Sequence, residues 1–246
     1  MTGVFMKTTF IACSCFVIAC SSNHPLDPGA GSDPGGGTQT LLVTGDAHAT
    51  PRITNATSDA DFDTDFSVDV SLAGATVSTG TVTVTSSSGS ISLVFQTDQA
   101  GSSWRGTASG YDEVYQLDVT SGPDTVTGVR VDGPDIHSFT APLPGANIDT
   151  TMPLTVTWDR AAEAHSATLR TDGDNGGSGE LAIPDSGSYD MAANFLRADP
   201  QAVRTDMLRL VRENEVTPAG AAAGSLVTVT IENDVEVVAL ANPLSH

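Results

Sequence analysis

The chain runs to 246 residues yet holds a single lysine, Lys7, and no cysteine after Cys20. With Cys13, Cys15 and Cys20 all at the front, the rest of the chain has no disulfide to stabilise it and must rely on ordinary burial. No apolar run reaches the roughly 20 residues that a membrane-spanning helix requires. Aromatic residues are only 5% of the total while glycine reaches 24, and Thr, Ser and Val abound. That balance favours short strands over long helices. The motifs of common catalysts are missing too: there is no His-Glu-x-x-His pair, no Gly-x-Ser-x-Gly elbow and no phosphate loop. Beyond Lys7, nine arginines face 30 acidic residues, a formal charge of −21. Phosphate backbones repel such a body, which excludes nucleic acid as a partner. Anionic lipid surfaces repel it as well.

What is present begins at the N-terminus. Lys7 gives a positive start, and Thr8 to Ala19 form a short uncharged apolar run ending in Val17-Ile18-Ala19-Cys20. This resembles the lipobox of bacterial lipoproteins, in which the cysteine thiol is lipidated and the chain is cut just before it. The resemblance implies that residues 1–19 are a signal peptide and that Cys20 is the lipid attachment site. It also implies that the mature protein sits in the cell envelope, held to a membrane by its N-terminal lipid. Stable anchoring takes more than one acyl chain, which lipoproteins supply as a diacylglyceryl group and a further amide-linked chain. Ser21, following Cys20, suggests the outer membrane. Cys13, after Ile11-Ala12, is a rival attachment site that leaves too short an apolar core.

Residues 20–40 are rich in Gly, Pro and Ser, and read as a flexible tether in which nothing is buried. From Leu41 onward, β-branched runs recur between Gly, Ser, Asp and Pro punctuation. Phe66, Val68 and Val70 alternate with Asp65, Ser67 and Asp69, a period of two that gives a strand one dry and one wet face. Val82 and Val84 repeat the pattern. Trp104 and the stretch Tyr111 to Tyr115 fall where they would pack against a core edge. Residues 41–142 thus predict a first sandwich. The rhythm of Phe66–Val70, Val82–Val84, Gly101–Gly110 and Tyr115–Val119 resembles immunoglobulin-like modules of bacterial surface proteins.

Ala141-Pro142-Leu143-Pro144-Gly145 interrupts the apolar pattern and marks the boundary to a second domain over residues 143–246. Its opening, Pro153-Leu-Thr-Val-Thr-Trp-Asp159, resembles the start of a fibronectin type III-like repeat, with Trp158 as the core tryptophan. The later tyrosine of true type III modules is missing. Further strands are expected at 164–170 and 179–183, and a helical turn at 189–196. For 206–212 the spacing of Val203, Met207, Leu210 and Val211 behind Asp199-Pro200 also fits a helix, and a strand is the reading adopted. Leu226–Ile231 and Val235–Leu240 read as two runs joined or bulged at Asn233-Asp234. The expected fold is all-β: two tandem immunoglobulin-like antiparallel β-sandwiches after a lipoprotein signal helix and a flexible tether.

Residues that could carry chemistry are few. Three acid-x-His pairs, Asp46/His48, Asp135/His137 and Glu163/His165, would share a strand face and are expected to be plain surface pairs. Asp59, Asp61, Asp63 and Asp65 alternate along one short run, where calcium would relieve the repulsion among carboxylates. Thr64 and Val70 depart from the helix-loop-helix calcium pattern. Asp172 and Asp174 form a second weak calcium candidate. No catalytic residue is assigned and no cofactor is required. The expected function is a non-catalytic, membrane-anchored binding or structural module with a protein or glycan partner. The alternatives are a calcium-dependent glycan- or protein-binding module and, less favoured, a carboxylate-based hydrolase, which needs two facing acids across a cleft.

Overall fold

The computed structural model describes residues 26, 29–99, 101–173, 178–196, 199 and 201–241; the expected signal peptide, Cys20 and Asp174 lie outside them. The chain opens with β1 (Gly36–Gly37), β2 (Leu41–Pro51), β3 (Phe62–Leu72), β4 (Ala75–Thr76), β5 (Thr81–Ser86) and β6 (Gly89–Ser92). It continues through β7 (Val94–Asp98), β8 (Gly101–Ser109), β9 (Val114–Ser121), β10 (Asp124–Asp132), β11 (Ser138–Ala141) and β12 (Ala146–Ile148). The last strands are β13 (Leu154–Asp159), β14 (Ser166–Gly173), β15 (Ser178–Ile183), β16 (Ser188–Met191), β17 (Arg204–Val216) and β18 (Leu226–Ala239). Among the described residues the only helical element is a single 3-10 turn at Asp59–Asp61.

Alternation produces these strands. Along β3, Phe62, Thr64, Phe66, Val68 and Val70 are buried while Asp63, Asp65, Ser67 and Asp69 face water. Only an extended chain puts every second side chain on one face, so one-sided burial selects strand over helix. The stretch 206–212, where helix and strand periods competed, is strand for the same reason: Leu208 and Leu210 are fully buried.

The sheets pack in two pairs. A five-stranded sheet, β1-β10-β9-β5-β6, covers one half of a larger sheet that runs β15-β14-β17-β18-β2-β3-β8-β7. Between them lies a core that includes Val43, Phe66, Leu117, Val119 and Val229, with Trp104, Tyr111 and Tyr115 buried at its edge as the sequence suggests. A three-stranded sheet, β11-β13-β16, covers the other half and encloses Phe139, Val156, Trp158, Leu169, Leu210 and Val237. The fold is therefore all-β, two sandwiches in tandem, the second with a tryptophan at its heart; pairing is antiparallel as expected except where β18 runs parallel to its neighbours β2 and β12.

One sheet is common to both sandwiches, a feature the sequence reading does not contain. β17 and β18 pair antiparallel over their whole length. β18 also pairs parallel with β2 through Leu226–Ile231, and then with β12 through Val237–Ala239. Its odd-numbered side chains run Val227, Val229 and Ile231 into the first core, then Asn233, then Val235 and Val237 into the second. The expected break at Asn233-Asp234 is thus uninterrupted strand. The division at residue 142 does not partition the cores either, since Phe139 belongs to the second and Leu226–Ile231 supply the first. Tyr189 lies in β16 rather than on a helical turn, because Val156 pairs with it.

The expected tether needs the largest correction. Residues 31–40 are docked, with Gly36–Gly37 added as an edge strand to β10 and Asp33 bridged to Arg130. Ala219 N–H donates to Pro34 O at 2.9 Å, and Gln39 N–H to Gly220 O at 2.8 Å. The glycines there serve close approach. A Cβ on Gly220 would lie 1.9 Å from the Gly36 carbonyl carbon, and one on Gly37 would lie 2.2 Å from Thr125 O. Gly220→Ala is therefore expected to displace the arm, raising amide hydrogen exchange across residues 33–39 while β17 and β18 stay protected. Overpacking of this kind costs about 1–3 kcal/mol, readable as a lowered denaturation midpoint.

Candidate functional site

Where β17 and β18 pass from one core to the other, the apolar alternation gives way to Arg212, Asn214 and Asn233. Arg212 is fully buried. Its Nε donates to Asp185 Oδ2 at 3.0 Å, its Nη1 to Asp135 O at 2.7 Å, and its Nη2 to Ala162 O at 2.6 Å and Asp135 Oδ1 at 3.2 Å. Asp185 in turn accepts Trp158 Nε1–H at 3.0 Å and Ala164 N–H at 2.8 Å. Burial pushes the Asp185 carboxyl up, but the Ala164 amide, Arg212 and Trp158 together hold it below the usual range. Asn233 Nδ2 donates to Ala56 O and His137 O, and its Oδ1 accepts from Ala56 N–H. Asn55 and the Phe139 backbone exchange two further bonds across the same seam. These groups come from the β2–β3 loop, the 133–137 connection, β13, the 160–165 loop, the β15–β16 loop and the long hairpin. They weld the sandwiches into one body.

The Asp135/His137 pair belongs to this joint and is not the plain surface pair expected. Asp135 caps the Ala161 and Ala162 amides. His137 is wholly buried, and its Nε2 faces Leu210 O at 3.1 Å. Burial, reinforced by Arg212, pushes its pKa down to about 3, so the ring is neutral with the proton on Nε2. The other two pairs do lie on outward positions. Asp46 accepts from Thr228 Oγ1 at 2.8 Å, while His48 stands 3.9 Å from Glu232. His165 Nδ1 accepts Glu215 N–H at 3.1 Å. Each of these three histidines thus meets a backbone group or a carboxylate.

The calcium candidates separate. Asp61 closes a capping box, accepting Ser58 N–H at 3.1 Å and Ser58 Oγ–H at 2.8 Å. Those bonds, that of the Ser58 hydroxyl foremost, lower its pKa. Asp59 accepts the Ala60 amide on the 3-10 turn. Asp63 and Asp65 stand on the outward face of β3, with Arg52 3.8 Å from Asp63 and His48 opposite Asp65. Asp172 pairs with Arg209 at 3.1 Å. Among the described residues, no three His, Cys, Asp or Glu side chains are grouped to hold a metal ion.

Two concavities among the described residues bear on function. One, about 330 Å³, lies at the joint against Glu113, Asp132, Asp135, Glu163 and Asn214. Burial, then the Asp135 and Asp132 charges, raise the Glu113 pKa. The larger, about 440 Å³, is a groove on the outward face of the shared sheet. It exists because the sheet forks. β3 pairs with β8 only as far as Val68 and Trp104; beyond that β3 takes β4 as partner, and β8 stays with β7. Thr44, Ser67, Asp69, Ser71, Ser102 and Arg105 line the opening, with Leu42 at the rim and Val70 below. No single side chain of this groove has a sequence signature, since its walls come together only through sheet pairing.

No family model matches the chain, and no curated protein does. Among solved structures it is similar to a two-domain fibronectin type III segment of chicken tenascin, at 14% identity, covering 80% of this chain and 98% of that one with a TM-score of 0.27. It is also similar to a structure from a 1.5-MDa bacterial ice-binding adhesin, at 17% identity, over 79% and 65% of the two chains, TM-score 0.22. A third is a domain of a biofilm-associated protein, at 17% identity, 81% and 30%, TM-score 0.20. The fold assignment rests on the sheets and cores described above.

Two outcomes follow from the joint. Arg212→Met leaves the buried Asp185 with only Arg160, at 3.9 Å, as a cation, a loss of about 3 kcal/mol or more; a denaturant titration should show it, the variant unfolding in two steps as the sandwiches uncouple where the wild type unfolds in one. The second concerns pH. An unfolded His137 takes up a proton below about 6.5, whereas the folded one resists until about 3. The unfolded state therefore binds more protons in that window, and stability falls as pH drops through it, by roughly 1.4 kcal/mol per unit at most. His137→Gln should flatten the loss between pH 6 and 4, measured by melts at each pH. The Asp185 contribution, from a depressed carboxyl, disappears only at lower pH.

Proposed function

We propose that this chain is a cell-envelope lipoprotein whose paired sandwiches act as a non-catalytic adhesive or structural module. The observation that carries this reading is the shared hairpin. A strand of 14 residues spans roughly 45 Å and lends side chains to both cores, and the polar joint at its middle prevents the two bodies from swinging independently. Such a body suits spacing and presentation, and it offers a groove rather than a catalytic constellation.

Val17-Ile18-Ala19-Cys20 supplies the anchoring half of the proposal. The acidic body is repelled by anionic headgroups, so the acyl chains on Cys20 do the holding, with Ser21 favouring the outer membrane. The arm is docked from Gly31 onward, so no more than the eleven residues Cys20 to Ala30 separate it from the lipid. Labelled palmitate should enter the wild-type protein and be lost in Cys20→Ala, with the variant released from the membrane fraction. Undiminished labelling of Cys20→Ala would overturn the anchoring.

A further inference from the structure

We propose that the forked-sheet groove is a binding site for a neutral, polyhydroxylated saccharide. The assignment names a ligand class for the adhesive role above and rests on that reading for its biological setting, not for its chemistry. At about 440 Å³ the groove falls within the range of small-ligand sites, and it has room for one or two sugar rings.

Its lining matches a pyranose in kind. Thr44, Ser67, Ser71 and Ser102 present hydroxyls that both donate and accept. Asp69 is an acceptor-only group, and Arg105 a donor-only one. Neighbouring strands stand about 4.8 Å apart and same-face residues about 6.8 Å along a strand, a mesh comparable to the width of a sugar ring. Leu42, more than one-third exposed, offers an apolar patch at the rim for a C–H face.

Arg105 is held in place before any ligand arrives. Arg105 Nε donates to Ser103 Oγ at 2.7 Å and its Nη1 to Asp98, which fixes the guanidinium at the wall of the groove. Asp69 on β3 lies opposite Thr44 on β2 in the antiparallel register, and Ser67 opposite Arg105 on β8. Preordering of this kind removes part of the entropy cost of binding. Thr44, Ser67, Asp69 and Ser71 make no side-chain hydrogen bond among the described residues, so their capacity is open to a ligand. The net charge of −21 beyond Lys7 disfavours sulfated or uronic-acid polymers and leaves neutral sugars unopposed. The lining carries no exposed aromatic platform, which sets the expected affinity in the millimolar range.

The test uses the full chain with its lipid, in a zwitterionic detergent that carries no sugar headgroup. Saturation-transfer NMR is run with gluco-, galacto- and manno-configured neutral trisaccharides and their sulfated counterparts. Saturable transfer from at least one neutral sugar is expected, weakened on the order of tenfold by Asp69→Ala and by Arg105→Gln and abolished by Ser67→Trp. Near-UV circular dichroism verifies that each variant keeps its fold. Absence of saturable transfer from every neutral sugar, equal binding by the three variants, or preference for the sulfated forms would overturn the site. Palmitate labelling is unaffected by these results, so failure here and failure of the anchoring reading are separately visible.

Discussion

A guanidinium removed from water must be surrounded by oxygen, and Arg212 imposes that demand at the middle of the molecule. The desolvation penalty of such a group is several kcal/mol, offset only when partners and geometry are complete. Here they are supplied by Asp185, Asp135 and the Ala162 carbonyl, drawn from segments up to 77 residues away in sequence. Meeting the demand therefore fixes two loops and the 133–137 connection at once. The pairing of the two sandwiches follows from it, and so does the position of β17 between them.

The same residue sets the register of the hairpin. A slip of one residue would turn every side chain of β17 to the wrong face. A slip of two keeps the alternation, yet carries the guanidinium into a core built from Leu208, Leu210 and Val237. Asn233 answers it on the facing strand, with Ala56 and His137 holding both ends of its amide. The polar positions in two otherwise apolar strands thus act as a pin. The hydrophobic positions on either side would tolerate displacement; these do not.

How much of this was legible in the sequence depends on the range of the interaction. The strands of the first sandwich are visible because alternation is local: Phe66, Val68 and Val70 declare their face without reference to anything distant. Helix and strand competed at 206–212 because Met207, Leu210 and Val211 satisfy both periods, and the buried pair Leu208 and Leu210 decides for strand. The joint was hidden because a polar residue within a strand pattern looks the same whether it marks a bend or a buried network. Asn233-Asp234 therefore read as a break. Glycine misled in a related way at residues 31–40, since a linker and a close backbone contact share one composition. Asp135/His137 and Asp46/His48 are indistinguishable as text, and only the arrival of β17 separates them. The groove depends on the end of the β3–β8 pairing at Val68, a register fact with no local trace.

The arginines connect these points to the character of the surface. All eight described arginines stand within 4 Å of a carboxylate: Arg52, Arg105, Arg130, Arg160, Arg170, Arg204, Arg209 and Arg212. The exposed pairs contribute little to stability, about 0–1 kcal/mol each, but they leave no described cation to balance the remaining acids. Positive charge is committed to internal structure while negative charge faces outward almost unopposed. Such a surface resists association with anionic polymers and with other copies of itself, at the cost of some self-repulsion in the folded state. It also disfavours ligands that carry negative charge. The groove is the place where this preference meets hydroxyl groups already arranged on a sheet, with Arg105 tied down at one side and Asp69 free at the other.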